Sequence, residues 1–235
     1  MKAIILSAGK GTRIRELAPD KPKVLMEILG KPMIEWNIEL LRKYEVKDIA
    51  INTHYLADKI KDYLGNGEKF GVKLRYSYEP ELLGTSGALN NFRDFFNEGF
   101  FVIYGDVISR LNLEKLVRFH NEKGGCATLV VHKTDHPEDS DIVEMGEDER
   151  IRGFVHKPGN RNYGDLGNAA LYVAEPQILD YIPKGESDFT KDIFRKMIEE
   201  GEKIYGYETE EFIKDAGTQE RIKKVEEFLN KPLAI

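Results

Sequence analysis

Apolar runs and amphipathic stretches alternate along the first half of the chain. Short apolar runs predict strands near residues 3–6, 48–52, 73–77 and 100–104. Apolar positions at helical spacing predict helices near residues 33–44, 56–64, 86–96 and 113–122. Strands that alternate with helices over short connections favour parallel crossover units. We therefore expect an α/β fold, with a mixed, mostly parallel sheet that helices cover on both faces.

The pattern changes after about residue 125. Further strands are predicted near residues 126–132, 141–145, 151–155 and 168–173, and loops rather than helices join them. This arrangement indicates antiparallel pieces. A last helix is predicted at 219–229. Because the chain has 235 residues, of which 41% are hydrophobic, we expect one large domain over residues 1–235.

Composition narrows the class of protein. The net charge of −6 does not favour nucleic acid as a partner, so any phosphate site is expected to be a local basic pocket in an acidic protein. No apolar run is long enough to span a bilayer, and the run at 3–6 is too short for a signal peptide. We expect a soluble, cytoplasmic protein without a membrane partner. Cys126 is the only cysteine, so neither an internal disulfide nor a cysteine metal cluster is expected.

The first predicted strand runs directly into the sequence SAGKGTR at residues 7–13, and a basic cluster, KPK, follows at 21–23. A glycine turn at a strand end presents backbone N–H groups at the edge where open α/β sheets bind ligands. Gly9 and Gly11 lack a Cβ and admit a phosphate, while Arg13 and Lys23 add positive charge. The spacing fits neither a Walker loop nor a dinucleotide fingerprint, which needs glycine where Ile14 stands. We interpret the segment as a grip for a nucleoside triphosphate; an ordinary glycine turn is the alternative.

Several separated motifs, in order along nearly the whole chain, resemble those of the sugar-1-phosphate nucleotidyltransferases, the pyrophosphorylases that make nucleotide sugars. The motifs are GKGTR at 9–13, PK at 22–23, GKPMI at 30–34, LGTSGAL at 83–89, YGD at 104–106, KP at 157–158, Asn168 and DAGT at 215–218. The likeness is closest to guanylyltransferases for mannose-1-phosphate and manno-heptose-1-phosphate. It implies the Rossmann-like fold of the nucleotide-diphospho-sugar transferases, with a nucleotide-binding part at about 1–110 and an acceptor-binding part at about 111–235.

The family joins a sugar-1-phosphate to a nucleoside triphosphate and releases pyrophosphate. A phosphate monoester has a second pKa of about 6, so the attacking oxygen needs no dedicated general base at pH 7. The reaction needs alignment, charge neutralisation and a metal. The resemblance implies Arg13, Lys23 and Asp106 as catalytic residues, and Asp106 with Asp215 as ligands of the expected cofactor, Mg²⁺. Turn and helix-capping roles are the alternatives for the two aspartates.

The resemblance also implies a set of nucleotide-binding residues. Its members are Leu6, Ala8, Gly9, Gly11, Thr12, Glu79, Gly84 and Thr85. Glu79 or Glu81 could accept hydrogen bonds from guanine N1 and N2; solvated loop charges are the alternative for both. Thr85 and Ser86 could instead cap the predicted helix at 86–96.

The expected contacts with the sugar phosphate are Lys157, Asn168 and Gly105. The family usually has Phe-x-Glu-Lys-Pro around this lysine, whereas this chain has His156 at the glutamate position. That departure could reflect an unusual acceptor.

The expected function is Mg²⁺-dependent transfer of a nucleoside monophosphate from GTP to mannose-1-phosphate or a manno-heptose-1-phosphate. Transfer from UTP or dTTP to glucose-1-phosphate or an amino-sugar-1-phosphate is the alternative, and choline-phosphate cytidylyl transfer is a third reading. A regulatory subunit that binds nucleotide sugars without turnover is the non-enzymatic alternative. The sequence leaves the oligomeric state open, a homo-oligomer included.

Overall fold

The structure is a computed structural model and describes residues 1–11, 19–159 and 163–231. Its strands are β1 (Lys2–Leu6), β2 (Glu27–Ile28), β3 (Lys31–Pro32), β4 (Asp48–Thr53), β5 (Lys73–Tyr78), β6 (Phe100–Tyr104), β7 (Val107–Ser109), β8 (Ala127–Lys133), β9 (Asp141–Met145), β10 (Ile151–His156), β11 (Leu166–Ala174), β12 (Ile204–Glu208) and β13 (Ile213–Asp215). Its α-helices are α1 (Met33–Lys43), α2 (Ala57–Leu64), α3 (Leu113–Lys123), α4 (Arg195–Glu199) and α5 (Gln219–Leu229). A π-helical segment, Phe189–Phe194, leads into α4.

In the main sheet, β1 lies between β4 and β6 and is parallel to both. The strand order is β10-β9-β11-β6-β1-β4-β5, and β8 pairs with both β11 and β12. Strand β11 is antiparallel to β6, β8 and β9, whereas β12 is parallel to β8. The predicted α/β class and the predicted antiparallel pieces after residue 125 are therefore confirmed.

The core lies on both faces of this sheet, because side chains alternate between the faces along each strand. In β1, Ala3 and Ile5 join one buried cluster and Ile4 joins the other. Ile38 of α1 packs in the first cluster, and Phe92 packs in the second. The fully buried central strands explain why their sequences are continuous apolar runs.

The predicted strands and helices are found, with one exception and some additions. The helix predicted at 86–96 is wrong: only Gly87–Phe92 is helical, as a short 3-10 helix. A Cβ on Gly87 would lie 2.3 Å from the Gly185 carbonyl oxygen, so this segment is held by packing rather than by helical propensity. Strands β2, β3, β7, β12 and β13 and helix α4 were not predicted. Within the described ranges, none of the helices has the length and apolar character of a membrane span.

The strand pair β7–β13 and the helix after it bring the last part of the chain to the carboxyl edge of the sheet. Asp215 lies opposite Val107 in this antiparallel pair. The Ala216 N–H donates to the Asp106 carbonyl oxygen at 2.7 Å. Helix α5 then begins at Gln219, and the side chain of its N-cap residue, Thr218, accepts from the Arg221 N–H at 3.2 Å. The loops that follow β6 and β13 are thereby placed side by side.

Candidate active site

The loop after β1 opens onto the carboxyl edge of the sheet. The Ser7 N–H donates to Asn52 Oδ1 at 2.8 Å, which fixes the loop to the end of β4. A Cβ added to Gly9 would meet nothing within 4 Å. Gly11 has a φ of +60°, and a Cβ there would lie 2.9 Å from Lys23 Cβ. The loop therefore presents its backbone to open space at Gly9 and approaches the lysine closely at Gly11.

A cavity of about 340 Å³, here called the first cavity, lies over this loop. Most of the residues predicted to bind nucleotide or to act in catalysis line it. These are Leu6, Ala8, Gly9, Gly11, Lys23, Gly84, Thr85 and Asp106. The predicted residues Thr12 and Arg13 lie outside the described ranges. One predicted nucleotide residue, Glu79, does not line the cavity.

Glu79 lies behind the first cavity and is fully buried. Its Oε1 accepts from Asn52 Nδ2 at 2.8 Å, and its Oε2 accepts from the Leu83 N–H at 3.0 Å. Because Asn52 also binds the Ser7 N–H, one hydrogen-bonded chain joins the loop at 79–87 to the loop after β1. The alternative of a solvated charge is wrong for Glu79, whereas Glu81 is exposed.

The loop at 79–87 is braced by the segment that precedes α4. Thr85 Oγ1 donates to Asp188 Oδ2 at 2.9 Å, and the Ser86 and Ser187 hydroxyls lie 2.8 Å apart. Ser86 stands at the N-cap position of the 3-10 helix Gly87–Phe92, but its side chain makes no capping hydrogen bond, so the alternative of a capping role for the Thr85 and Ser86 side chains is wrong. Gly84 has a φ of +73°, and a Cβ there would lie 2.3 Å from the Ser187 carbonyl oxygen. This wall of the first cavity depends on glycine at position 84.

A second cavity, of about 190 Å³, adjoins the first. It is lined by Lys157, Asn168 and Asp215, which were predicted on the sugar-phosphate and metal side. Tyr104 and Asp106 line both cavities, so the two meet at the end of β6. The residues predicted from the sequence thus line two neighbouring cavities, and Asp106 lines both.

Gly105 and the other two acceptor residues are held in defined backbone positions. A Cβ on Gly105 would lie 2.8 Å from the Leu6 carbonyl oxygen, so it lies between packed strands and outside both linings. Lys157 has a φ of +41°, and its N–H donates to the Ser140 carbonyl oxygen at 3.1 Å. Asn168 Nδ2 donates to the Tyr172 hydroxyl at 2.9 Å. These contacts fix the backbone at Lys157 and the amide of Asn168.

Each of the two predicted metal ligands, Asp106 and Asp215, forms an ion pair with a basic side chain of the protein. Lys23 Nζ pairs with Asp106 Oδ2. Arg221 donates to both oxygens of Asp215, at 2.9 and 3.2 Å, and to both oxygens of Asp139, at 2.8 Å each. Burial would raise the pKa of Asp215, but the hydrogen bonds and charge of Arg221 outweigh it and lower that pKa below its ordinary value. Asp215 is therefore ionised throughout the neutral range.

Residues 2–231 match the family model described as "Nucleotidyl transferase". The chain belongs to that family. This agrees with the resemblance found from the sequence motifs and with the mixed sheet.

The names of two relatives of this chain differ in the nucleotide: one is a uridylyltransferase and the other a guanylyltransferase. UTP--glucose-1-phosphate uridylyltransferase of Synechocystis sp. is 35% identical over 87% of this chain and 57% of its own length. The mannose-1-phosphate guanylyltransferase catalytic subunit beta of Dictyostelium discoideum is 37% identical over 92% of this chain and 61% of its own length. This chain spans about three fifths of the length of these relatives. The crystal structure of HddC from Yersinia pseudotuberculosis matches with a TM-score of 0.84 at 25% identity, over 97% of this chain and 99% of that one.

Sequence reasoning missed several residues that shape this candidate site. Asn52 and Tyr104 line the first cavity, and each stands at or near the end of a predicted strand, which was the available signal. Burial raises the pKa of Tyr104 well above its ordinary value, so its hydroxyl remains a neutral group. Arg221 lines the second cavity from α5, and the helix pattern carries no signal for that contact. The first cavity also includes Gly217, so its lining crosses the predicted division at about residue 110, which stays a prediction.

Proposed function

We propose that this chain transfers a nucleoside monophosphate from a nucleoside triphosphate to a sugar-1-phosphate, with release of pyrophosphate. The observation that carries the proposal is the pair of adjoining cavities with Asp106 in both linings. A glycine loop and Lys23 line the first cavity, which suits a triphosphate. Lys157 and Asn168 line the second, which suits a phosphorylated sugar.

The chemistry is an in-line displacement at the α-phosphorus. An oxygen of the sugar phosphate forms the new P–O bond, and the bond to the β-phosphate oxygen breaks as pyrophosphate leaves with its electron pair. Lys23 lies beside the junction of the cavities and supplies positive charge to the α-phosphate. Arg13, two residues after Gly11 in the sequence, is proposed to hold the β- and γ-phosphates. Lys157, in the lining of the second cavity, is proposed to orient the sugar phosphate.

Mg²⁺ is the proposed cofactor, with Asp106 and Asp215 as its protein ligands. The two carboxylates are carried by neighbouring backbone segments, since the Ala216 N–H binds the Asp106 carbonyl oxygen at 2.7 Å. Among the described residues, no group of three or more histidine, cysteine, aspartate or glutamate side chains could hold a metal ion. A set of two carboxylates fits Mg²⁺, which takes its remaining oxygens from phosphates and water. When bound, the ion would neutralise charge on the phosphates.

We further propose GTP and mannose-1-phosphate, or a related manno-heptose-1-phosphate, as the substrates. The name of the Dictyostelium relative supports this choice, while the name of the Synechocystis relative supports UTP with glucose-1-phosphate as the second candidate. The deciding assay measures pyrophosphate release with Mg²⁺ from GTP, UTP, dTTP and CTP, each paired with mannose-1-phosphate and with glucose-1-phosphate. We expect the highest kcat/KM for GTP with mannose-1-phosphate.

The matched variant for this assay is Asp106→Ala, which removes the carboxylate shared by both cavities. We expect it to abolish Mg²⁺-dependent turnover and to leave the circular dichroism spectrum unchanged. Wild-type rates in Asp106→Ala would contradict the proposed metal role. Tight binding of a nucleotide sugar without turnover of any substrate pair would instead indicate a regulatory subunit.

A further inference from the structure

A histidine and an aspartate face each other at the ends of strands β9 and β10, beside the second cavity. His156 and Asp141 are directly opposite in the antiparallel register. His156 Nδ1 and Asp141 Oδ1 lie 2.5 Å apart. The N–H of the next residue, Lys157, binds the Ser140 carbonyl oxygen at 3.1 Å. The two strand ends are therefore joined by both side-chain and backbone hydrogen bonds.

Asp141 differs from the other carboxylates that line this cavity. Asp139 and Asp215 give both of their oxygens to Arg221, and Asp106 is paired with Lys23. Asp141 uses Oδ1 for His156, and no described residue binds its Oδ2. Its side chain is 21% exposed, so it is partly withdrawn from solvent and still accessible from the cavity.

We propose that Asp141, oriented by His156, accepts a hydrogen bond from a ring hydroxyl of the sugar-1-phosphate. The inference rests on the proposed function. An ionised carboxylate is only an acceptor, so it pairs with the donor hydroxyls of a sugar and repels a phosphate. Lys157 lines the same cavity and attracts the phosphate. Opposite charges in one cavity thus orient the acceptor, with its hydroxyls toward Asp141 and its phosphate away from that residue.

His156 is a positioning residue in this arrangement. Its side chain is 39% exposed and does not line the cavity, so it acts through Asp141. The hydrogen bond at Nδ1 selects one rotamer of the carboxylate and leaves Oδ2 for the ligand. Asparagine at position 156 can place its Nδ2 where the imidazole Nδ1 lies and can still donate to Asp141, whereas alanine at position 156 removes the donor.

The test uses steady-state kinetics with the nucleoside triphosphate and sugar-1-phosphate that the wild-type protein turns over best. We expect Asp141→Asn to raise the KM for the sugar-1-phosphate about 10- to 100-fold, since a hydrogen bond to a charged group is lost. The KM for the triphosphate should change by less than about 3-fold. His156→Ala should shift the sugar-1-phosphate KM in the same direction, and His156→Asn should restore much of the loss.

Asp148→Asn is the matched control, because Asp148 forms an exposed ion pair with Arg152 at 2.7 Å near the turn of the same strand pair. It should leave both KM values unchanged. An effect of Asp141→Asn no larger than that of Asp148→Asn would overturn the proposal. An equal effect on the two substrates would also overturn it.

Deoxy analogues of the sugar-1-phosphate provide a measurement that does not depend on how the variants fold. The wild-type protein should discriminate by about 10-fold or more against one analogue that lacks a single ring hydroxyl. Asp141→Asn should lose that discrimination, because the two changes remove the same hydrogen bond. Equal use of all the deoxy analogues by the wild-type protein would overturn the proposal. Lack of turnover by the wild-type protein with every substrate pair would instead reject the proposed function.

Discussion

Substitution of Glu79 by glutamine distinguishes two hypotheses for this residue: a structural role in the buried network, and direct contact with the base of the nucleotide. The two oxygens of Glu79 accept hydrogen bonds from different segments: Asn52 Nδ2 donates to Oε1, and the Leu83 N–H donates to Oε2. Asn52 in turn accepts the Ser7 N–H at its Oδ1. Glutamine offers one acceptor and one NH₂ group. It cannot satisfy both donors unless Asn52 reverses its amide, which would abandon Ser7.

The expected loss follows from the burial of this network. One hydrogen bond to a charged group is removed at a fully buried position, at a cost of about 2–3 kcal/mol. For a chain of this size, that loss lowers Tm by about 4–12 °C. Glu81→Gln is the matched control, because Glu81 is exposed two residues away, and its effect should stay within about 0.5 kcal/mol.

The assay is calorimetric unfolding of both variants, followed by kcat/KM for GTP and for UTP. We expect Glu79→Gln to lower Tm and to raise the KM for both triphosphates, because the loops at both ends of the network lose their connection. The reasoning is refuted if Glu79→Gln is as stable as Glu81→Gln and changes only the preference between GTP and UTP. That result would instead support the contact with guanine predicted from the sequence.

Three other expectations follow from single positions. Lys157→Ala should raise the KM for the sugar-1-phosphate about 10- to 100-fold and the KM for the triphosphate much less; equal effects in steady-state kinetics would contradict its place on the acceptor side. Gly84→Ala should lower Tm and raise the KM for the triphosphate, because a Cβ would lie 2.3 Å from the Ser187 carbonyl oxygen; a variant with unchanged Tm would contradict this. Burial, with Glu202 as acceptor and nearby charge, raises the pKa of Cys126 to about 12, so at pH 8 the native thiol should react about a thousand-fold more slowly with a disulfide reagent than the unfolded thiol. Rapid reaction of the native protein would contradict that pKa.

Sequence patterns predicted the part of the fold that depends on local periodicity. The buried strands are short continuous apolar runs and the long helices have apolar positions at period 3.6, and those elements are present with small shifts at their ends. The 86–96 helix failed because its position is set by contacts about one hundred residues away, such as the Ser86–Ser187 hydrogen bond. Helix propensity depends on the local sequence alone, so it cannot predict contacts between distant segments.

The candidate site was predictable to a similar extent. Motif residues such as Gly9, Lys23 and Asp106 were found because strand ends and glycine turns mark a ligand edge in the sequence. The contacts that complete the site join distant segments, as Arg221 and Asp139 do across 82 residues. The buried position of Glu79 is of the same kind, since its Oε1 accepts from Asn52 of β4, which in turn accepts from the Ser7 N–H of the loop after β1.

The pairing of carboxylates with cations bears on how an acidic protein could admit the proposed triphosphate. The chain has a net charge of −6, and several carboxylates line the two cavities. Two unit charges 4 Å apart at an effective dielectric constant of 20 interact by about 4 kcal/mol, so an unpaired Asp106 or Asp215 would strongly oppose a phosphate. Lys23 pairs with Asp106, and Arg221 is shared between Asp215 and Asp139, so part of this negative charge is offset within the protein. The charge that a ligand meets in the cavities therefore depends in part on these long-range pairs, and it cannot be obtained by counting charges along the sequence.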